Sequence, residues 1–119
     1  MTTKEIAQRL ATLCKDGQFE IAQKELFSKD AVSIEPSAGQ GFAKETTGID
    51  AILKKGEQWQ AMLSESHGMY ISDPVVAGNS FALTMRMDVS MKQGGRMDMT
   101  ELCVYKVKDG KIVSEEFFM

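Results

Sequence analysis

Apolar positions along this chain change their period once, and the change separates a helical part from a strand part. Behind Thr2 and Glu5, which have the spacing of a capping box, Ile6, Leu10, Leu13 and Cys14 recur at helical intervals until Asp16-Gly17 breaks the pattern. Asp16 is placed to cap a second helix, with Phe19, Ala22 and Leu26 on one face, that runs into a strand at about Ala31. Gly39 to Thr47 is glycine-rich and polar and reads as a loop. Thr47 is then placed to cap a third helix, whose stripe of Ile49, Ile52, Leu53, Gly56, Trp59 and Leu63 ends near Ser66.

After His67 the period falls to two, which predicts long strands at about Met69 to Ala77, Ser80 to Met91, Arg96 to Val107 and Lys111 to Phe118. Pro74 cannot donate to a ladder, so the first of these is an edge strand or carries a bulge there. Helices followed by an antiparallel meander predict an α+β fold in one domain over 1–119, with three helices on the concave face of a cone-shaped, curved antiparallel sheet. Long strands that curl around what the helices leave unfilled invite a pocket.

The side chains facing that pocket follow from hairpin register, because a slip of one residue inverts every assignment. The stretch "KDGK" at Lys108 to Lys111 fits either a two-residue Asp-Gly turn or a three-residue turn with a bulged Gly110. The second is preferred: it sets Cys103 opposite Glu115 and Glu101 opposite Phe117, whereas the first turns Glu116 and Phe118 inward. A similar loop at Gln93, Gly94 and Gly95 sets Met87 opposite Glu101 and Met85 opposite Cys103. Met85, Met87, Val89, Met97 and Met99 then share one face, which Glu101 and Glu115 interrupt, while Arg86, Asp88, Asp98 and Thr100 share the other.

Charge and composition narrow the chemistry. A chain of 119 residues can bury a core. Its net charge of -3, without a long Lys/Arg run, lacks the electrostatic footprint of a nucleic-acid or anionic-membrane binder. The two cysteines lie far apart, and neither a secretory h-region nor a bilayer-length apolar run is present, so a cytoplasmic setting with free thiols is expected. One histidine and no CxxC or HxxxH pattern argue against a metal site. The chemistry falls to carboxylates, and of the nine methionines those clustered on adjacent strands fit either a plastic core or dimer face or an adaptable lining for an apolar ligand.

The order helix, helix, strand, helix, then strands, with "SKDAVSIEP" after the second helix and "YKVKDGKIVSEEFF" at the end, resembles the nuclear transport factor 2-like superfamily. Within it the chain is similar to SnoaL-like proteins, relatives of polyketide cyclases and ketosteroid isomerase. The resemblance implies a cystatin-like α+β roll. It also implies a role for Glu35, because ketosteroid isomerase carries its general base, an Asp followed by Pro, at the position that Glu35-Pro36 matches. The isomerase's two oxyanion donors fall on Leu10, which cannot hydrogen-bond, and on Cys103, a weak donor.

Two functional readings follow. In the first, the cone binds a small apolar or polycyclic carbonyl compound and isomerises or cyclises it without a cofactor, with Glu35, Glu101 and Glu115 as acid and base groups and Leu10, Trp59, His67, Met85, Met87, Met99, Cys103 and Phe117 as ligand contacts. In the second, the chain is a ligand-binding or dimerisation module without turnover. Either way a homodimer is expected, because the convex face carries Leu102, Val104 and Phe118 among Arg86, Asp88, Thr100 and Glu116.

Overall fold

The computed structural model describes residues 1–39 and 41–119, so of the loop expected at 39–47, Gln40 lies outside the described residues. Helix α1 (Thr3–Lys15) starts on the capping box: Thr2 Oγ1 accepts from the Glu5 N–H at 3.1 Å, and Glu5 Oε1 accepts from the Thr2 N–H at 2.8 Å. It ends in a left-handed Gly17 (φ 72°), with the Gln18 N–H on the Leu13 carbonyl and the Gly17 N–H on the Cys14 carbonyl. Asp16 therefore closes α1. Helix α2 (Phe19–Leu26) has Gln18 at its N-cap with no side-chain bond, so the cap expected from Asp16 does not form.

Strand β1 (Phe27–Ile34) follows α2 directly, and β2 (Glu45–Thr47) folds back on it antiparallel where a loop was expected. With Thr47 ending β2, Gly48 replaces it at the N-cap of α3 (Ile49–Met62), with φ 94° and ψ 141°, a conformation open to glycine. The Gly48 N–H donates to the Ala31 carbonyl at 2.8 Å, which pins the start of α3 over β1. The helix is four residues shorter than expected. Ser64, Glu65, Ser66 and His67 hold no apolar helical position, and pairing with β5 takes them into β3 (Leu63–Ile71).

The strand expected at 69–77 is broken at Pro74, with β4 (Val75–Ala77) and β3 both pairing antiparallel to β5 (Ser80–Met91). Strands β6 (Gly95–Lys108) and β7 (Lys111–Phe118) complete the meander. The sheet order is β2-β1-β7-β6-β5-β3, and β1 lies parallel to β7, so the sheet is mixed rather than wholly antiparallel. Among the described residues no helix is long and apolar enough to cross a membrane.

Both hairpins differ from the expected register by two residues. The turn at Asp109-Gly110 is the two-residue type, with positive φ at both positions (53° and 75°) and Lys108 opposite Lys111. A bulge then leaves Val113 without a partner, so that Ser114 pairs Lys106, Glu115 pairs Tyr105 and Phe117 pairs Cys103. In the other hairpin Met91 pairs Gly95, which places Met85 opposite Glu101 and Leu83 opposite Cys103. A shift of two keeps every side chain on its face. Glu101, Glu115 and Phe117 thus point to the concave side, as the preferred register required, while Glu116 and Phe118 do not.

The helices bury Ile6, Leu10, Leu26 and Ile52 against Ala31, Leu83, Cys103 and Ile112 of the sheet. A second cluster of Met87, Val89 and Met91 packs with Trp59, Met62, Met69, Met97 and Met99. Two glycines should respond oppositely to alanine. Gly110→Ala, at φ 75°, is expected to cost about 1–2 kcal/mol. Gly56→Ala, in mid-helix with no atom outside the local helix backbone within 4 Å of the added Cβ, should gain about 1 kcal/mol. Denaturant midpoints at constant slope measure both, and a destabilised Gly56→Ala variant would contradict the open space described for it.

Candidate functional site

Parity along β1 turns Ala31 and Ser33 into the concave face, and Glu35 follows at the same parity just beyond the strand. The parallel pairing of β1 with β7 sets Ser33 beside Glu115. Across β7, Tyr105 of β6 lies opposite Glu115. From above, α3 presents Ile52, Lys55, Gly56 and Trp59, spaced i, i+3, i+4 and i+7, to one cleft. The cleft has a volume of about 890 Å3 and runs between the helices and the sheet, floored by Met85, Met87, Met99, Glu101 and Glu115 and flanked by Glu35 to Gly39 and Phe42.

A chain of short polar contacts crosses its wall. Lys55 Nζ donates to Glu35 Oε1 at 3.0 Å and to Ser33 Oγ at 2.6 Å, and the Ser33 hydroxyl donates to Glu115 Oε1 at 2.7 Å. The ammonium also lies 5.7 Å from the centre of the Phe117 ring, within range of a cation–π attraction. Ser33 is fully buried and Glu115 is 4% exposed, so this network operates with little water around it.

Burial pushes the Glu115 carboxyl up to about 7, with the Ser33 hydroxyl and Lys55 ammonium opposing it. Glu101 is likewise pushed up to about 7, chiefly by burial and then by the charges of Glu35 and Glu115, with Lys55 pulling the other way. Glu101 has no hydrogen-bond partner among the described residues. It is therefore a carboxyl in an apolar wall, balanced between its two protonation states near neutrality.

Of the residues singled out from the sequence, Glu35, Glu101, Glu115, Leu10, Trp59, Met85, Met87, Met99 and Phe117 lie on the cleft wall. Two do not. Cys103 is fully buried in the core behind the wall, where burial raises its thiol far above the ordinary value. His67 is exposed at an irregularity of β3, its Nε2 2.6 Å from Ser90 Oγ. It misses the cleft because α3 stops early and the residue becomes part of an edge strand. Lys55, Ser33 and Tyr105 were missed; Lys55 sits at i+3 from Ile52 inside the α3 stripe, a place where a lysine is a visible signal. Among the described residues no three His, Cys, Asp or Glu side chains are grouped to hold a metal ion.

This α+β roll, with acids in the concave wall, belongs to a known structural class. A family model for the SnoaL-like domain matches residues 1–119, and the chain belongs to that family. A crystal structure from Mesorhizobium loti, assigned provisionally as a SnoaL-like polyketide cyclase and also described as a carbohydrate phosphatase, shares 36% identity over 100% of both chains with a TM-score of 0.91. A Xanthomonas campestris protein with a cystatin-like fold is 19% identical over 99% of this chain and 90% of its own, with a TM-score of 0.78. TerC, co-crystallised with polyporic acid, is 13% identical over 98% and 90%, with a TM-score of 0.79. No curated protein sequence matches the chain.

The raised carboxyls make stability depend on pH with a definite sign. An acid whose folded pKa exceeds its unfolded value stabilises the fold fully below the unfolded value, and that contribution is lost as pH rises through the folded one. For Glu101 and Glu115 the window runs from 4.5 to about 7. Across it, melting temperature should fall with rising pH in the native chain and stay flatter in the Glu101→Gln/Glu115→Gln double variant. An equal slope in both proteins would place the titrating groups elsewhere.

Proposed function

We propose that the cleft binds a small apolar molecule bearing a carbonyl group and moves a proton on it through a carboxylate. The observation that carries this reading is Glu101: a carboxyl without a hydrogen-bond partner, opposite Met85 in an apolar wall, with its proton affinity raised to about 7. A group that populates both forms near neutrality can take a proton and return it, and proton transfer beside a carbonyl requires no cofactor. Glu35, expected as the base, accepts from Lys55 at Oε1, and Glu115 accepts from Ser33 at Oε1. Glu101 is thus the acid whose oxygens are all free to meet a ligand. Glu35 and Glu115 act on its charge from the side. The provisional polyketide-cyclase assignment of the Mesorhizobium loti relative supports a carbonyl substrate, and polyporic acid, co-crystallised with TerC, is a reasonable first binding probe.

The test uses β-tetralone, an apolar ketone with acidic hydrogens, in deuterium oxide. Exchange of the hydrogens next to the carbonyl should be accelerated by the native protein and reduced about 100-fold or more by Glu101→Gln. Binding without exchange would favour the alternative of a ligand-binding module with no turnover.

The assembly we infer is a homodimer through the convex face. Tyr70, Leu102 and Phe118 are 59%, 42% and 47% exposed there. Around them Arg86 forks onto Asp98 and Arg96 onto Asp88, so the surface combines apolar area with both signs of charge, which a two-fold axis can match to itself. Sedimentation at tens of micromolar should give a dimer that Leu102→Asp converts to monomer; a native monomer would refute it.

A further inference from the structure

We propose that Lys55 is a second group that touches the ligand, donating its remaining N–H to the carbonyl oxygen and holding the negative charge that forms there when Glu101 removes the neighbouring proton. The inference rests on the proton-transfer reading above and adds the group that receives the charge.

An ammonium carries three N–H donors. Lys55 gives one to Ser33 and one to Glu35, and the third has no partner among the described residues. The side chain is 15% exposed and lines the cleft, so that exposure opens toward a bound molecule. Ser33, Glu35 and the Phe117 ring hold the ammonium from three sides, so it needs no rearrangement to meet developing charge. Leu10 and Cys103, where the related isomerase has its donors, offer nothing comparable: one is aliphatic and the other lies behind the wall.

The step balances without a co-reactant. The C–H bond next to the carbonyl breaks and its proton passes to a Glu101 oxygen. The electron pair of that bond becomes the new carbon–carbon π bond, and the carbonyl π pair moves onto oxygen. One negative charge thereby leaves an unpartnered carboxylate and arrives beside an ammonium. Although Lys55 hangs from α3, its ammonium is held at Ser33 of β1 and Glu35 just beyond that strand, so the ligand's oxygen and acidic carbon, two bonds apart, both meet the sheet side of the cleft. Trp59, Met87 and Met99 are left to cover its apolar body.

The probe is 4-nitrophenol, whose ionised form mimics the enolate oxygen and is read directly by its absorbance. The native protein should prefer the ionised over the neutral form, and Lys55→Met should lose about tenfold or more of its affinity for the ionised form alone. Lys55→Arg should retain the preference. Lys55→Gln, which keeps a donor for Ser33 without the charge, serves where Lys55→Met fails to fold. Loss of both forms in equal measure, or no change, would overturn the role of Lys55 while leaving the cleft a binding site. Failure of the native protein to bind either form would overturn the underlying reading as well.

Discussion

A carboxyl buried as deeply as Glu115 must be neutral, hydrogen-bonded or matched by positive charge, because an isolated carboxylate in an apolar interior is far too costly. The rest of the site follows from that constraint. The parallel pairing of β1 with β7 brings Ser33 alongside Glu115 and supplies the hydroxyl. The bond from Gly48 to Ala31 holds α3 over β1 and brings Lys55 within reach of Ser33. Lys55 then links the buried acid to Glu35 at the cleft's edge. Burial raises the proton affinities of Glu101 and Glu115, the charge of Glu35 adds to it, and the single ammonium of Lys55 opposes it only in part.

The cleft lies between two differently built parts of the interior. On one side are the helices, with Ile6, Leu10, Leu26 and Ile52 packed on the sheet; on the other is a cluster of methionines around Trp59. Branched side chains in the first part define its shape, while unbranched thioethers in the second can repack around an occupant. The convex face works by other means. Asp88 stands directly opposite Asp98, and that repulsion is offset because each is forked by a diagonal arginine. Such exposed pairs add little stability, so the fold rests on the interior.

How far the site was legible depended on the kind of information each residue carried. Glu101 and Glu115 stood out because an acid interrupting a period-two apolar pattern is visible in one dimension, and Glu35 through the resemblance of Glu35-Pro36 to the isomerase's general base. The assignment of Glu115 to the concave side held although the turn beneath it was a different one: a two-residue turn alone would have flipped the strand, and the bulge at Val113 flipped it back. Sequence pattern constrains the face of a strand strongly, through burial, and the partner across the ladder weakly. His67 was misplaced for a related reason. Helical propensity cannot compete with an available sheet edge, and β5 drew residues 63–67 into β3.

The amino-acid order by itself determined the helices, the meander, the α+β class, and which strand residues share the concave face, because these depend on period and on local capping such as that between Thr2 and Glu5. Only the tertiary structure decided that Ser33, Lys55 and Glu115 meet. They are 22 and 82 residues apart along the chain, counted from Ser33, and what joins them is a parallel strand pairing and a helix laid across it. No local pattern encodes such a meeting. The proton affinities of Glu101 and Glu115 were set at the same level, since desolvation and the fields of neighbouring charges exist only once the chain has closed around them.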